Sequence, residues 1–261
     1  MKSILFFDID GTLLSEKTKI IPQSAIDAIK QAQNNGHLIF INTGRPLASI
    51  PKYIKDIHYD GIICGCGTYI EYQNKVLYHQ SLDPQLISLI LKHLKQDHMY
   101  ALLEGKDALY YDQNNTYEHI NHIKTNYQKL GLDTSHTWDE ASICFDKMTV
   151  WHDKQSDFDT FYKAMIPYFD YIKRSEKFGE WVPHHHSKAT AMVFLSDYFH
   201  IDNENTYAFG DSTNDLPMLK QAKHAVAMKE SNPEIFKYVE FITKDVDDDG
   251  IEYALKHYHL I

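Results

Sequence analysis

Cysteine is scarce in this chain, which has only Cys64, Cys66 and Cys144. Three is odd, and the first two are spaced Cys-x-Cys rather than Cys-x-x-Cys. The chain therefore predicts neither a disulfide framework nor a zinc site, and a reducing cytosol fits it best. Long hydrophobic runs are also missing. No stretch approaches the roughly 18 consecutive apolar residues of a membrane span. The short apolar run at the start is broken by Asp8 and is not a signal-peptide pattern. Positive charge is in deficit, with 26 Lys and Arg against 36 Asp and Glu and a formal net charge of −10. That balance argues against a nucleic-acid footprint. An anionic ligand would need local help from a cation or from helix N-termini. No Gly-x-Gly-x-x-Gly follows the first apolar run, which excludes a Rossmann dinucleotide binder. Internal repeats and low-complexity segments are absent, and the longest acidic run, Asp247-Asp248-Asp249, reads as a solvated loop.

What is present starts with length: 261 residues make one large domain or two ordinary ones, and 43% hydrophobic residues suit a buried core. Near the start, Ser3-Ile4-Leu5-Phe6-Phe7 reads as a buried strand that ends in Asp8-Ile9-Asp10-Gly11-Thr12. Two carboxylates so close repel unless a cation or a shared proton relieves them. Alone, Asp-x-Asp is an acidic strand end capped by a turn. The fuller run, taken with its downstream partners, points to a metal or catalytic site.

The chain then alternates. A helix over 22–35 leads to a strand over 37–41 that ends in Asn42-Thr43-Gly44-Arg45. Another helix, to about 56, leads to a strand over 61–64. This β-α-β-α-β order predicts an α/β fold with a doubly wound parallel sheet. Residues 69–80 read as a hairpin. From 81 to 183 the texture changes to α+β: helices over 84–96, 116–130 and 156–166, and strands near 100–103, 108–111, 143–151 and 168–174. The parallel pattern resumes with a helix over 187–199, a strand over 206–209 and the run Gly210-Asp211-Ser212-Thr213-Asn214-Asp215. Helices at 216–221 and 250–257 and strands at 224–228 and 239–242 close it. The expected organisation is a discontinuous core, 1–80 and 184–261, with a cap domain, 81–183, inserted.

In a parallel sheet the strand ends carrying Asp8/Asp10, Thr43-Gly44 and Asp211/Asn214/Asp215 lie along one edge, the edge where open α/β sheets bind ligands. The helix starting near Ser187 adds Lys188. Hard carboxylate oxygens suit Mg²⁺. A hydroxyl, backbone amides and an ammonium suit a phosphoryl group, whose transfer depends mainly on positioning and charge neutralisation.

These motifs resemble those of the haloacid dehalogenase (HAD) superfamily of phosphotransferases, and within it the Cof-type sugar-phosphate phosphatases with a large α/β cap. The resemblance covers nearly the whole chain and rests on Asp8-Ile9-Asp10-Gly11-Thr12, Thr43-Gly44-Arg45, Lys188 and Gly210-Asp211-Ser212-Thr213-Asn214-Asp215. It implies a HAD-type, Rossmann-like core and a cytoplasmic Mg²⁺-dependent phosphatase of small phosphate monoesters, with sugar phosphates foremost. Asp8 is then the nucleophile that forms an aspartyl-phosphate, and Asp10 the general acid and base. Thr43, Gly44, Lys188 and Asn214 hold the phosphate. Asp8, the Asp10 main-chain carbonyl and Asp211 hold the metal, and Asp215 orients Lys188 or water behind them. Two alternatives stand beside this reading: a sugar-phosphate phosphotransferase or mutase, and a non-catalytic metal- or phosphate-binding regulatory module.

The chain departs from the family pattern in two places. Ala189 follows the motif lysine where Gly is common, and Lys229-Glu230-Ser231 stands where Gly-Asn-Ala is usual. Each site residue also has a plainer reading. Thr43 and Asp211 could cap helices, Asn214 and Asp215 could be first-turn residues favoured by the helix dipole, and Lys188 could be a solvated helix lysine. Arg45 could pair with an acid or reach the substrate. His184-His185-His186 reads as a polar hinge rather than a metal site. Glu104, Tyr110, Trp151 and Trp181 are candidates for reading the leaving group, with packing as their plainer role.

Overall fold

The computed structural model describes residues 2–261. The chain divides into two compact units: Met1–Gly44, Lys55–Leu77 and His186–Ile261 form the first, and Arg45–Ile54 and Tyr78–His185 the second. In chain order the strands are β1 (Ile4–Phe7), β2 (Leu38–Asn42), β3 (Gly61–Cys64), β4 (Tyr69–Tyr72), β5 (Lys75–His79), β6 (Tyr100–Glu104), β7 (Leu109–Tyr111), β8 (Lys147–Trp151), β9 (Phe169–Lys173), β10 (Phe178–Pro183), β11 (Thr206–Gly210), β12 (His224–Ala227) and β13 (Phe241–Ile242). The helices are α1 (Gln23–Asn34), α2 (Lys52–Lys55), α3 (Pro84–Gln96), α4 (Glu118–Lys129), α5 (Phe158–Met165), α6 (Lys188–Phe199), α7 (Leu216–Gln221) and α8 (Gly250–His257).

The first sheet runs β13-β12-β11-β1-β2-β3-β4-β5. From β13 to β3 all neighbours are parallel, and β4 returns antiparallel to β3. Every residue of β1, β2 and β3 is buried, as parallel strands covered on both faces require. The strand order reverses at β1 and β11, so this pair marks the switch point where a crevice opens beyond the carboxyl ends. The parallel α/β core expected from the alternating pattern is therefore present.

The second sheet, β7-β6-β8-β10-β9, is antiparallel throughout. Alternation along its strands sorts the side chains by face. Ala101, Leu103, Met148, Val150 and Trp181 join Ile87, Ile90 and Leu94 of α3 and Phe161 and Met165 of α5 in one core. Leu102, Leu109, Tyr111 and Trp151 join Ile120 of α4 in another. On the α4 side the Lys147 ammonium lies 3.0 Å from Glu104 and 2.8 Å from Glu180, and Arg174 lies 2.5 Å from Glu180. Burial works to raise both carboxyls. Glu180 faces two cations and ends at about 2. Glu104, with only a share of Lys147, stays raised.

Some expected elements change. The strand expected over 143–151 begins only at Lys147: the Phe145 carbonyl accepts from the Leu82 amide outside the sheet, and the chain bends at Asp146, whose amide donates to the Glu104 carbonyl of β6. The segment Phe178–Pro183, of which only Trp181-Val182-Pro183 reads as strand-like in sequence, is β10. The helix to about 56 is a 3₁₀ turn, Leu47–Ser49, followed by the short α2. The acidic loop 247–249 is not simply solvated: Asp247 accepts from the Ser15 hydroxyl at 2.9 Å and Asp249 from Ser24 at 2.6 Å. Among the described residues, no helix is long and apolar enough to cross a membrane.

Candidate active site

Register places the site. Phe7 of β1 stands opposite Ile41 of β2 and Phe209 of β11. Asp8, Asn42 and Gly210 therefore follow at one level, and Thr43 and Asp211 come next along the same edge. Asp8 is tied there by its amide, which donates to the Phe209 carbonyl at 3.0 Å. The chain then turns back tightly, with the amides of Leu13 and Leu14 donating to the Ile9 carbonyl at 3.0 and 2.8 Å. Gly11 sits at φ +76° in this turn, and a Cβ there would lie 2.5 Å from Asp211 Oδ2. Only glycine gives both that backbone conformation and that approach.

Lys188 is the first residue of α6. Ser187 caps the helix, accepting from the Thr190 amide at 3.1 Å while the Thr190 hydroxyl accepts from the Ser187 amide at 2.9 Å. The Lys188 side chain is buried and its ammonium lies 2.5 Å from Asp8 Oδ1 and 2.5 Å from Asp215 Oδ1. Asp215 is fully buried, and its second oxygen accepts from the amides of Asp211 and Ser212 at 3.0 and 3.1 Å. Both Asp215 oxygens are thus engaged within the protein. Asp211 differs, because its Oδ1 is buried with no hydrogen-bond partner.

One carboxylate oxygen each from Asp8, Asp211 and Asp215 lies within 4.8 Å of the others, and among the described residues this is the one such group of three or more His, Cys, Asp and Glu. Their charges interact strongly. Burial, then the Asp215 charge, pushes the Asp8 carboxyl up to about 7 against the pull of Lys188. Burial, then Asp215 and Asp8, pushes Asp211 up to about 8. Burial works to discharge Lys188, but Asp215 and Asp8 outweigh it and hold its ammonium above the ordinary 10.5. One ammonium does not offset three carboxylates, two of them buried and Asp211 half-buried, so the site has an unmet demand for positive charge. The donors are all oxygen and one buried oxygen is unpartnered, which fits a hard divalent cation such as Mg²⁺.

The structure thus brings Asp8, Lys188, Asp211 and Asp215 together. Asp10, half-buried, lies two residues beyond Asp8 and bridges to Leu14. Thr43 is buried, its amide donating to the Ile63 carbonyl and its carbonyl accepting from the Cys66 amide. Asn214 Oδ1 accepts from the Ser212 hydroxyl. Gly44 ends the first segment of the first unit, and Arg45 belongs to the second. Glu230, from the segment that departs from the family pattern, pairs with Lys17 at 2.7 Å.

A family profile for haloacid dehalogenase-like hydrolases matches residues 5–255. The chain belongs to that family. It is 30% identical over 261 residues to a putative phosphatase of Bacillus subtilis (strain 168), YkrA, spanning 99% of this chain and 98% of that protein. It is 25% identical to a second protein of the same organism, the 5-amino-6-(5-phospho-D-ribitylamino)uracil phosphatase YwtE, with 95% of each chain covered. Among solved structures, a sugar phosphatase of HAD subclass IIB superposes with a TM-score of 0.83 at 28% identity, covering 99% of this chain and 100% of the other. The chain is accordingly a Cof-type HAD phosphatase, a hydrolase.

The other singled-out residues have local roles. His184 is held between the Asp170 carboxylate at 2.8 Å and the Ile166 carbonyl at 3.0 Å. Glu104 is committed to Lys147 and the Thr149 hydroxyl. Trp151 stacks on Phe178, with ring centroids 5.6 Å apart, and Trp181 meets Phe161 edge-on at 5.4 Å. The Tyr110 hydroxyl accepts from the Cys144 amide at 3.3 Å. Sequence reasoning passed over Asn42, a fully buried amide at the end of β2 whose Nδ2 donates to the Lys188 carbonyl at 3.0 Å. The available signal was a polar residue closing the apolar run Leu38-Ile39-Phe40-Ile41.

Proposed function

We propose that the protein hydrolyses small phosphate monoesters, sugar phosphates foremost, through an aspartyl-phosphate on Asp8. The observation that carries this reading is the Lys188 ammonium shared at 2.5 Å between Asp8 and Asp215. It holds the Asp8 carboxylate in one orientation and, with two of its three N–H donors on Asp8 and Asp215, leaves one N–H and its positive charge beside the place a phosphoryl group would occupy. In the first step an Asp8 oxygen bonds to phosphorus, the bond from phosphorus to the ester oxygen breaks, and Asp10 gives its proton to that oxygen. In the second, Asp10 takes a proton from water, the water oxygen bonds to phosphorus, and Asp8 is released with orthophosphate. Thr43, Gly44, Lys188 and Asn214 hold the phosphate oxygens. Mg²⁺, which phosphatases of this superfamily generally use, would be held by Asp8, the Asp10 main-chain carbonyl and Asp211, and would neutralise charge on the phosphate. Asp215 would serve by orienting Lys188, since both of its oxygens are already in use.

Segment 81–183 is assigned the part of a cap that reads the leaving group, with Arg45 as a candidate contact. Sugar phosphates lead because the subclass IIB relative is a sugar phosphatase. Asp8→Asn should fold normally and lose more than about a thousandfold in kcat, since a neutral amide is no nucleophile. Turnover persisting in that variant would overturn the nucleophile assignment. A panel of hexose phosphates, pyridoxal phosphate and flavin mononucleotide compared by kcat/KM tests the substrate class. A uniform lack of hydrolysis would favour a binding module instead.

A further inference from the structure

Asn42 presents a puzzle that packing does not answer. It is 0% exposed, as are Ile39, Phe40 and Ile41 before it. A position that needed only to fill space would carry an apolar side chain like theirs. Its Nδ2 donates to the Lys188 carbonyl at 3.0 Å, while its Oδ1 is buried with no partner. Turning the amide over would set two acceptor oxygens against each other at the same distance, so the donor must face Lys188. The side chain therefore keeps a half-satisfied polar head in the core in order to grip one main-chain carbonyl.

That carbonyl belongs to the residue whose ammonium spans Asp8 and Asp215. Position along α6 matters for such a side chain. Lys188 is the first helical residue, where fewer backbone bonds fix the peptide than farther in. Its surroundings restrain it from other directions too. Gly67, at φ +95°, approaches so closely that a Cβ would lie 2.5 Å from the Ser187 carbonyl oxygen. The loop holding Gly67 is itself bonded to the end of β2, because the Cys66 amide donates to the Thr43 carbonyl. Asn42 is paired in register with Ile63 of β3, so its backbone is fixed by the sheet.

From this geometry we infer that Asn42 is a positioning residue for Lys188. It fixes the lysine's peptide against the rigid end of β2 and so sets where the ammonium stands relative to Asp8. The inference rests on the reading of Lys188 as the group that holds Asp8 and the phosphate. Asn42 itself touches no reacting atom.

A double-mutant cycle tests it, with kcat/KM for p-nitrophenyl phosphate and Tm measured on the wild type, Asn42→Leu, Lys188→Ala and the double variant. Asn42→Leu is expected to cost tenfold to a hundredfold in the presence of Lys188, the order that ångström-scale misplacement of a catalytic group costs. In the Lys188→Ala background it is expected to cost less than twofold, because the group it positions is gone. An equal cost in both backgrounds would mean that Asn42 acts through the fold at large, and the inference would be wrong. Full activity in Lys188→Ala alone would instead sink the reading of Lys188. If Lys188→Ala is too slow to assay, the calorimetric affinity for orthophosphate replaces kcat/KM, with the same pattern expected. If Asn42→Leu does not fold, Asn42→Thr enters the cycle, its β-branched side chain suiting a strand but too short to reach the carbonyl.

Discussion

Crowding of carboxylates around one ammonium should make the metal-free protein lose stability as pH rises from acid to neutral. Asp8 and Asp211 have ordinary values of 3.8 and are pushed to about 7 and about 8 in the folded state, chiefly by burial. Between pH 4 and 8 the folded state therefore keeps protons that the unfolded chain has already released. Stability falls as pH rises through that window and levels off above it. Lys188 has the opposite charge type and a raised value, so its contribution is complete below 10.5 and fades only above it, outside the window. A shift of about three pH units in one group corresponds to about 4 kcal/mol. The two acids share the same neighbours, so their effects do not simply add. About 4 kcal/mol for the pair translates to roughly 8–16 °C in Tm for a chain of this size. The assay is thermal unfolding from pH 5 to 8.5, once in chelator and once in millimolar Mg²⁺. In chelator Tm should fall across the range. With Mg²⁺ the fall should shrink, because a bound cation meets the demand that protons otherwise meet. Asp146, raised to about 6 by burial despite His79, adds a slope of the same sign that ends near pH 6. Asp211→Asn should remove the part of the slope that reaches to about pH 8 and leave the part due to Asp8, which ends near pH 7. A flat profile in chelator would refute the claim that these carboxylates lack compensation. An identical slope with and without Mg²⁺ would refute the cation site.

Two further substitutions probe other parts of the structure. Lys147→Met leaves Glu104 buried with only the Thr149 hydroxyl and should cost about 3–5 kcal/mol, the usual result of removing one partner of a buried ion pair. The deficit should narrow at pH 4–5, where Glu104 can take a proton, and chemical denaturation at two pH values checks both points. Gly11→Ala puts a methyl 2.5 Å from Asp211 Oδ2 at a backbone φ of +76°. It should cost about 1–2 kcal/mol in stability from backbone strain alone, and it should weaken Mg²⁺ binding, measured calorimetrically, by displacing the Asp211 carboxylate.

The parallel core was legible because its strands are apolar runs that end abruptly in polar groups. Ile4–Phe7, Leu38–Asn42 and Thr206–Gly210 announce both a buried strand and the edge at which it stops. The antiparallel sheet was harder. In β10, Phe178–Pro183, a glycine and a glutamate interrupt the apolar pattern, so only its end, Trp181-Val182-Pro183, reads as strand-like. What makes Glu180 tolerable inside a strand is Arg174, six residues back beyond β9, together with Lys147 on β8, 33 residues away and joined to it only by the pairing of β8 with β10. The stretch before Lys147 misleads the other way, since Ile143 and Phe145 look strand-like but lie outside the sheet, the Phe145 carbonyl accepting from the Leu82 amide instead.

The site divides along the same line. Asp8, Asp211 and Asp215 could be picked out because their chemistry lies in their side chains and strand ends bring such side chains to one edge, whereas Lys188, at the start of α6, was marked only by its place in the order of the family's motifs. Their division of labour was less visible. That Asp215 spends one oxygen on Lys188 and the other on two amides, while Asp211 keeps a buried oxygen unpartnered, depends on how residues 211–215 turn back on themselves. Asn42 marks the limit. Its partner is a main-chain carbonyl 146 positions away, a group every residue carries, so no choice of residue type at position 188 could have disclosed the bond. Groups that act on substrate can be sought by their chemistry. Groups that hold those groups still often act on backbone, and for them the useful sign is a polar side chain where the strand has every reason to be apolar.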